Sequence, residues 1–543
     1  MSASAKVPQL RLLKVDVRRF LKTRADFFLK DASGRNDPIQ IVLATGLAAA
    51  SIGYLAVLWI GLNDPLLDWF AFRQTQTAIS VYSMLHGGPW FFYETPVLGA
   101  PWRIPFEAPV YQISVAIVAI LTPLSLDAAG RVTSVAYLIG AIIVGVKVLR
   151  LLAPDDRRIG LVFALLMLAS PQYLFWGRTF LIETCALFFC LLFLYAAIRF
   201  YRKPSASVFA LMLLASLLGA LAKATTWPAF ALAFAMFWLF EIVRDRRVKI
   251  LPSAGVIGVG VSSLLAVALW NGAADALKVQ TAFGSYLTSK NLALWNFGTL
   301  AHRMDPALWT VHLPKRMLPD ALGAYWPVML IAATHLPRFG ANAAVAIAGG
   351  ILFMASIMVF TSLHIVHAYY QTANAIFLLA GAAALVAGMM NAGRARVALF
   401  CLFVLVAGQV YYFAKERLPF IVKDMRAEPT YVTALVARER VPEGSAIFAF
   451  GVDWSSEVHY YAERKGVAFA HWFLPQNALP ALNDPGSVLG ALALGGIVDC
   501  RKGDGGYAPE FTASIDRLIA KLIQEGAQTY ESAQSCKLYA ARE

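Results

Sequence analysis

Long apolar runs recur along this 543-residue chain and are separated by short polar stretches. Between about residue 39 and residue 413 each run is about 17 to 23 residues long, enough to cross roughly 30 Å of hydrocarbon as an α-helix. Alternation with a period of two is absent there, which excludes a membrane β-barrel. We predict eleven membrane-spanning helices, starting near residues 39, 131, 159, 183, 206, 226, 251, 321, 342, 370 and 397.

A twelfth apolar piece, PVYQISVAIVAILTPL, lies between the first two predicted helices. If it does not span, the basic loops at 147–158, 199–203, 244–249, 338 and 394–396 share the cytoplasmic side with the basic N-terminus. If it does span, all of these loops fall outside, against the positive-inside rule. We therefore place this piece along the outer membrane face, within an outer loop covering residues 63–130.

The composition supports an α-helical polytopic membrane protein, with 59% hydrophobic and only 15% charged residues. The net charge of +14 lies mainly in short loops between apolar runs, where it orients helices, so no nucleic-acid partner is indicated. Residues 1–37 form a basic segment without the apolar region of a signal peptide, and we expect it to be cytoplasmic. Residues 38–415 then form the transmembrane domain.

The pattern changes after residue 415. Pieces typical of strands, SAIFAFGV and GGIVDC, are separated from a helix-like piece, FTASIDRLIAKLIQEG. An odd number of crossings puts residues 416–543 outside, so we predict a small periplasmic α/β domain there. It contains Cys500 and Cys536, and because disulfides persist outside the cytoplasm we expect these two to form one.

Ionisable residues near the apolar runs gather at the predicted outer surface, in the first loop and in several turns between helices. Such residues are costly at these depths and are functional candidates by default. The catalytic candidates are Asp68, Glu107 and Glu183. The candidates for substrate binding are Arg73, Arg103, Arg178, Lys223, His367, Tyr369 and Tyr370.

Carboxylates interspersed with cations fit one type of reaction. A carboxylate can deprotonate an acceptor hydroxyl while cations hold a phosphate leaving group. This chemistry corresponds to glycosyl transfer from a lipid-linked phosphosugar.

The order of these elements resembles the GT-C superfamily of polyprenyl-phosphate-dependent glycosyltransferases, close to lipid A aminoarabinose transferases and protein O-mannosyltransferases. The resemblance rests on Asp68 early in the first loop, Glu107 in FEAPVYQ before a membrane-hugging helix, and Glu183 in GRTFLIET. HAYY before the tenth helix and DWSSEVHYYAERKG in the C-terminal region are also similar. The resemblance implies an inverting transfer outside the cytoplasm, from a polyprenyl-phosphate sugar to a glycan, lipid or protein acceptor.

The sequence also departs from the family. Related chains carry a paired acid at the start of the loop, whereas Asp64 and Asp68 are separated here, and Gln76 stands where some relatives have Asp. The base therefore stays open between Asp68 and Asp64. A divalent metal also stays open, because the carboxylates lack local ligand spacing.

Structural roles are alternatives for the same residues. Asp68 could cap a helix, Arg178 and Glu183 could form an internal ion pair, and Lys223 could extend to the membrane surface.

A transporter or flippase of lipid-linked sugars is a rival function, but the two similar halves with broken helices that mark many transporters are not evident. A non-catalytic assembly subunit is the third hypothesis. We predict a bacterial inner-membrane glycosyltransferase whose sugar and acceptor the sequence does not identify.

Overall fold

The computed structural model describes residues 37–336, 340–503, 505–531 and 535–542. The predicted cytoplasmic segment 1–37 lies outside these residues except for Asp37. The Asp37 side chain caps the first helix by accepting a hydrogen bond from the Ile39 amide at 2.9 Å.

The first half of the chain forms helices α1 to α10. In chain order they are α1 (Pro38–Ile60), α2 (Ala71–Leu85), α3 (Val110–Leu121), α4 (Leu126–Leu152), α5 (Ile159–Ala169), α6 (Pro171–Trp176), α7 (Glu183–Arg202), α8 (Ala206–Ala222), α9 (Trp227–Asp245) and α10 (Ile250–Lys278).

A stretch of short helices follows, and long helices then resume. These are α11 (Ala293–Phe297), α12 (Leu300–Met304), a π-helix (Leu308–Met317), α13 (Leu318–Leu322), α14 (Met329–Ala333), α15 (Ala341–Val359), α16 (Thr361–Val366), α17 (Gln371–Asn391), α18 (Ala395–Glu416) and α19 (Leu418–Val422). Short 3₁₀ turns lie at Gly284–Leu287, Trp326–Val328 and Ala368–Tyr370.

Eight helices of the described chain are long and apolar enough to span a membrane: α1, α4, α7, α9, α10, α15, α17 with its preceding turn, and α18. They match eight of the eleven predicted crossings, and the count of eleven is not confirmed. The run near 159 breaks at Pro171, which has no amide hydrogen and disfavours a helical residue before it. The run near 206 gives the 17-residue helix α8, and the run near 321 is broken by prolines and by Gly323 at φ +81°.

The twelfth apolar piece, for which we predict no crossing, forms helix α3, with twelve residues. At 1.5 Å per residue α3 rises roughly 18 Å, well short of the roughly 30 Å of hydrocarbon. This length suits a helix that does not cross, and its position along the membrane surface stays a prediction.

Helices α7 and α17 lie at the centre of the bundle. Most of their apolar windows are buried inside the protein, 72% and 78%, whereas only 11% of the window of α1 is buried. Their first residues, Glu183 and Gln371, are both buried, and Lys223 contacts both Glu183 and Tyr370, so the two N-terminal ends lie together inside one end of the bundle. We call this the site end, and it also carries α2 and the C-terminal sheet.

The C-terminal region is α/β, as the sequence predicts. Its elements are α20 (Pro429–Arg440), β1 (Ala446–Phe450), α21 (Glu457–Ala462), β2 (Gly466–Phe469), α22 (Pro475–Asn483), α23 (Gly486–Leu489), β3 (Leu494–Asp499), α24 (Pro509–Gln524), β4 (Gln528–Glu531) and β5 (Lys537–Ala540). The strand order is β2-β1-β3-β5-β4, with β1 parallel to β2 and β3, and β5 antiparallel to β3 and β4. The predicted disulfide between Cys500 and Cys536 is confirmed and joins the end of β3 to the start of β5.

The first loop and the C-terminal sheet share a hydrophobic core. The backbone amides of Gly466 and Ala468 in β2 donate to the carbonyls of Pro96 and Val97 at 3.0 and 2.8 Å. The side chains of Leu66, Val97 and Leu98 from the loop are buried together with Phe448 and Phe450 of β1. The loop thus covers the β2 edge of the sheet and fixes the sheet over the site end.

Candidate active site

The chain that leaves α1 is held in place by Arg131 of α4. The Arg131 guanidinium, which is 1% exposed, donates to the carbonyl oxygens of Leu62 and Pro65 at 3.2 Å each and also to that of Asp64. Three carbonyls bound by one rigid fork of donors fix the turn that leads to Asp68. The turn ends at Phe70, whose φ of +58° lets the chain reverse into α2.

Asp68 is buried and paired with Arg178. The Asp68 Oδ2 atom lies 2.9 Å from Arg178 Nη2, and the two side chains are 5% and 1% exposed. The Gln74 amide donates to the other carboxylate oxygen, and its own oxygen accepts from the Phe180 amide at 3.2 Å. Helix α2 and the turn before α7 therefore orient Asp68 from two sides.

The second buried pair joins Glu183, the first residue of α7, to Lys223 at the end of α8. Lys223 Nζ lies 2.6 Å from Glu183 Oε1, and the side chains are 4% and 1% exposed. The ammonium also lies 3.6 Å from the ring centroid of Tyr370 and 5.5 Å from that of Tyr369. The alternative of an Arg178–Glu183 ion pair is thus wrong, since each residue has another partner, and Lys223 does not extend to the surface.

The third pair is more open. Arg73 Nη2 lies 2.6 Å from Glu107 Oε1, and these side chains are 15% and 22% exposed. Arg73 and Glu107 interact electrostatically with both Glu183 and Lys223, so the two pairs form one cluster of alternating charge. Burial and the Glu107 carboxylate raise the pKa of the neighbouring Tyr93 above its ordinary value, so this phenol stays protonated.

His367 and the tyrosines that follow it form an aromatic wall beside this cluster. The Tyr369 ring packs edge-on against Phe70 at 5.4 Å and lies 5.1 Å from His367. Burial, followed by the charges of Arg73 and Lys223, lowers the pKa of His367 to about 4. Its buried Nδ1 atom has no hydrogen-bond partner among the described residues. His367 is therefore neutral at pH 7 and has one ring nitrogen free for a ligand.

Two of the residues considered from the sequence lie elsewhere. Arg103 is exposed, pairs through its backbone with Glu94, and lines a separate polar cavity of about 380 Å³ with Glu463 and Lys465. The Asp64 carboxylate pairs at 3.1 Å with Arg426, whose side chain is 56% exposed. Of the two candidate bases, only Asp68 is buried and paired with another predicted site residue.

Further residues at the site are absent from the predicted set. Lys278, at the end of α10, is 5% exposed, lies 5.2 Å from the ring centroid of Phe106, and interacts electrostatically with Glu107. A lysine ending an apolar run, as Lys223 also does, is a signal that could have indicated it. Trp454 of the C-terminal region packs at 4.6 Å against the Phe72 ring and at 6.0 Å against that of Phe106.

Another buried ion pair supports Trp69, the neighbour of Asp68. Arg417 pairs with the buried Asp320, and its guanidinium lies 4.3 Å from the Trp69 ring centroid. Arg316 donates to the carbonyl oxygens of His364 and, at 2.6 Å, Ile365, which holds the chain leading to His367. Residues so far apart in sequence give no local signal of these contacts.

The acids of the site do not form a ready metal-binding group. Asp68, Glu107 and Glu183 each carry a cationic partner of their own. Within the described ranges no three His, Cys, Asp or Glu side chains come together as metal ligands would. The side chains present are therefore arranged as acid–cation pairs and not as a carboxylate cage for a divalent ion.

Comparison with known proteins gives structural matches alone, since no family model and no curated protein matches this chain. The apo structure of ArnT from Cupriavidus metallidurans aligns with a TM-score of 0.53 and 13% identity, over 92% of this chain and 98% of its own. The archaeal oligosaccharyltransferase AglB from Archaeoglobus fulgidus, in complex with an inhibitory peptide and a dolichol-phosphate, aligns with a TM-score of 0.55 and 12% identity, over 92% of this chain and 74% of its own. This chain therefore has the same fold as these two proteins.

Proposed function

We propose that this protein is an integral membrane glycosyltransferase that moves a sugar from a polyprenyl-phosphate donor to a hydroxyl of a glycan, lipid or protein acceptor. The reaction takes place on the outer face of a bacterial inner membrane and inverts the anomeric centre. The observation that carries the proposal is the meeting of Arg73–Glu107 and Glu183–Lys223 in one cluster at the ends of the central helices, beside Asp68–Arg178. The shared fold adds support.

Asp68 is the general base in this proposal. The acceptor hydroxyl loses its proton to the Asp68 carboxylate as its oxygen attacks the anomeric carbon. The bond from that carbon to the phosphate oxygen breaks, and the electron pair leaves with the phosphate. Gln74 and Arg178 occupy two of about four lone-pair positions on the carboxylate, so positions remain for the acceptor hydroxyl.

Arg73 and Lys223 bind the donor phosphate in this scheme. Both cations lie in a cluster of low exposure, where charge stabilisation is stronger than in water. Glu107 and Glu183 neutralise them before the donor arrives and keep them in position. Neutral His367 and the Tyr370 ring form the wall against which the donor headgroup packs.

The test is product mass spectrometry on the purified protein in liposomes. The liposomes contain isotope-labelled polyprenyl-phosphate sugars, and a cell-envelope extract supplies the acceptors. A labelled glycoconjugate that appears with the wild-type protein and is absent with Asp68→Asn supports transfer by this site. Passage of labelled lipid across the bilayer without any product would replace the proposal with a flippase.

Orientation is tested separately with reporter fusions. A reporter after residue 125 is expected to report the outer side and one near Asp155 the cytoplasm, because the basic loops follow the positive-inside rule. Reversed signals from both fusions would place the site cluster on the cytoplasmic face and contradict an extracytoplasmic reaction.

A further inference from the structure

The C-terminal sheet has a crevice at the carboxyl ends of its parallel strands. In the order β2-β1-β3, the connection from β1 leads to one side of β1 and the connection from β2 returns to the other side. The carboxyl ends of β1 and β3 thus meet at a topological switch point, where open α/β sheets bind their ligands. A cavity of about 460 Å³ lies there, lined by residues that follow each parallel strand: Gly451, Asp453, His471, Cys500 and Lys502.

The floor of this crevice is fixed by specific contacts. The Tyr507 hydroxyl donates to the Phe469 carbonyl at 2.6 Å and accepts from the Gly451 amide at 3.0 Å, which ties β1 to β2. Gly451 has φ +77°, and a Cβ there would lie 2.5 Å from the Arg501 nitrogen. The disulfide at Cys500 holds the end of β3. The crevice is therefore built before any ligand arrives, which lowers the entropy cost of binding.

Acidic and basic side chains are exposed around the floor of the crevice. Asp453, His471 and Lys502 are all exposed, and Asp453 has a left-handed φ of +53°, which is uncommon for residues other than glycine. The Asp453 carboxylate accepts from the Trp472 indole nitrogen at 2.9 Å, and Trp472 is 40% exposed. A carboxylate, an ammonium and an imidazole thus line one small volume, and the accessible indole of Trp472 is hydrogen-bonded to that carboxylate.

This combination fits a saccharide. Sugar hydroxyls donate to a carboxylate and accept from an ammonium, and the apolar face of a sugar ring packs on an indole. A peptide acceptor would be read by an open strand edge or by apolar side-chain pockets. The crevice lies at strand ends instead, and the β2 edge is already covered by Pro96 and Val97.

The crevice is physically connected to the candidate active site. The loop after β1 places Asp453 in the crevice, and the next residue, Trp454, packs against Phe72 and Phe106. Phe72 precedes Arg73, and Phe106 precedes Glu107, the two members of the open ion pair. We infer that the crevice of Asp453, His471 and Lys502 binds the glycan portion of the acceptor. This inference rests on the proposed function and assigns that reaction an acceptor subsite.

Transfer kinetics provide the first test. In the liposome assay, the acceptor is the envelope glycolipid fraction from cells that lack this protein. Asp453→Asn and Lys502→Ala are expected to raise the apparent KM for this acceptor roughly tenfold each while kcat changes little, because each variant removes a hydrogen bond to a charged group. The matched controls are Asp484→Asn and Lys521→Ala, exposed residues of the same region that lie outside the crevice. Unchanged KM values in both crevice variants would overturn the inference while leaving the proposed function intact.

Photo-crosslinking gives a second readout that does not need activity. His471→p-benzoylphenylalanine in the full-length protein is illuminated in living cells, with Asp484→p-benzoylphenylalanine as the control. A carbohydrate-containing adduct at 471 that is lost in combination with Lys502→Ala supports the subsite. An adduct with peptide alone, or none at position 471, contradicts it even if the wild-type protein makes no transfer product.

Discussion

Both ends of the helical bundle carry ion pairs with a buried carboxylate, but the two ends differ in how exposed the cationic side chain is. At the end opposite the site, Glu241 is 2% exposed and pairs with Arg202 and Arg244, whose side chains are 33% and 51% exposed. At the site end, Arg178 and Lys223 are 1% and 4% exposed, and their carboxylate partners are equally buried. The opposite end also contains an apolar cavity of about 570 Å³, lined by these same three residues and many apolar ones.

The difference separates ordinary ion pairs from candidates for chemistry. A pair whose cation reaches water loses less hydration than a fully buried pair, and we expect it to add at most about 1 kcal/mol of stability. A pair with both partners buried must offset the desolvation of two charges, and an apolar replacement of the same size is often as stable. The two buried pairs at the site end are therefore expected to add little to the stability of the fold, which favours a role in binding or catalysis.

The largest expected effect is on turnover. Asp68→Asn keeps the size and much of the hydrogen bonding of Asp68 but removes its basicity, so kcat is expected to fall roughly 10²- to 10⁴-fold. Asp64→Asn, at the solvent-facing pair with Arg426, is expected to leave kcat within about twofold. Initial rates of product formation measure both. Activity in Asp68→Asn combined with its loss in Asp64→Asn would move the base four residues upstream.

The next effect is on stability. Lys223→Met leaves the Glu183 carboxylate buried without its cation and is expected to lower the free energy of unfolding by about 3 to 5 kcal/mol. Adding Glu183→Gln is expected to restore most of that stability but not transfer activity. Arg244→Gln at the opposite end is the control, with an expected loss below about 1 kcal/mol. Denaturant unfolding in detergent measures all of these variants, and equal losses in the Lys223 and Arg244 variants would remove the distinction between the two ends.

A third effect concerns the stability of the C-terminal region, whose sheet lies over the site end. The disulfide closes a loop with a sequence separation of 36 residues, so replacing both cysteines with serine is expected to destabilise this region by about 2 to 4 kcal/mol. Limited proteolysis should cut the variant first within residues 429–540, while the opposite end keeps its protection. Equal protection of both regions in the variant would show that the hydrophobic core shared with the first loop stabilises the C-terminal region without the disulfide.

The smallest expected effect is a pH dependence at the site end. His367 has a pKa of about 4 in the folded protein against an ordinary value of 6.5, because it is buried and faces the cations of Arg73, Lys223 and Arg316. The unfolded chain therefore binds more protons between these values, and stability falls as the pH drops from 6.5 towards 4. His367→Asn is expected to reduce this slope in thermal unfolding measured from pH 7.5 to 4.5. An unchanged slope would show that His367 is hydrated and protonates freely in the folded state.

The pattern of apolar and polar residues along the chain determined the helical membrane part and the α/β C-terminal region. Apolar runs long enough to cross a bilayer became the eight long helices, and the change to short β-branched pieces gave β1 and β3. Among the described residues, three predicted crossings do not form such long helices, and two of these three runs contain a visible reason. Pro171, Pro319 and Pro327 interrupt two of the runs, and proline cannot donate the amide hydrogen that a continuous helix needs.

The candidate site was only partly determined by sequence. The tendency of ionisable residues to gather beside apolar runs identified Asp68, Arg178, Glu183 and Lys223, because charge near hydrocarbon is rare and costly. It did not determine their partners. Asp68 meets Arg178 across 110 positions, and Arg103, in the same loop, faces a different cavity.

Only the tertiary structure decided which turns meet. The order in which helices pack is set by the burial of whole faces, so α7 and α17 become central and bring Glu183 and Tyr370 to the same interior point. Neither hydropathy nor local spacing encodes that order, since α1 and α17 are similarly apolar and differ in what surrounds them. The sequence supplied the charges and the helices that carry them, and the packing of helices against each other paired those charges.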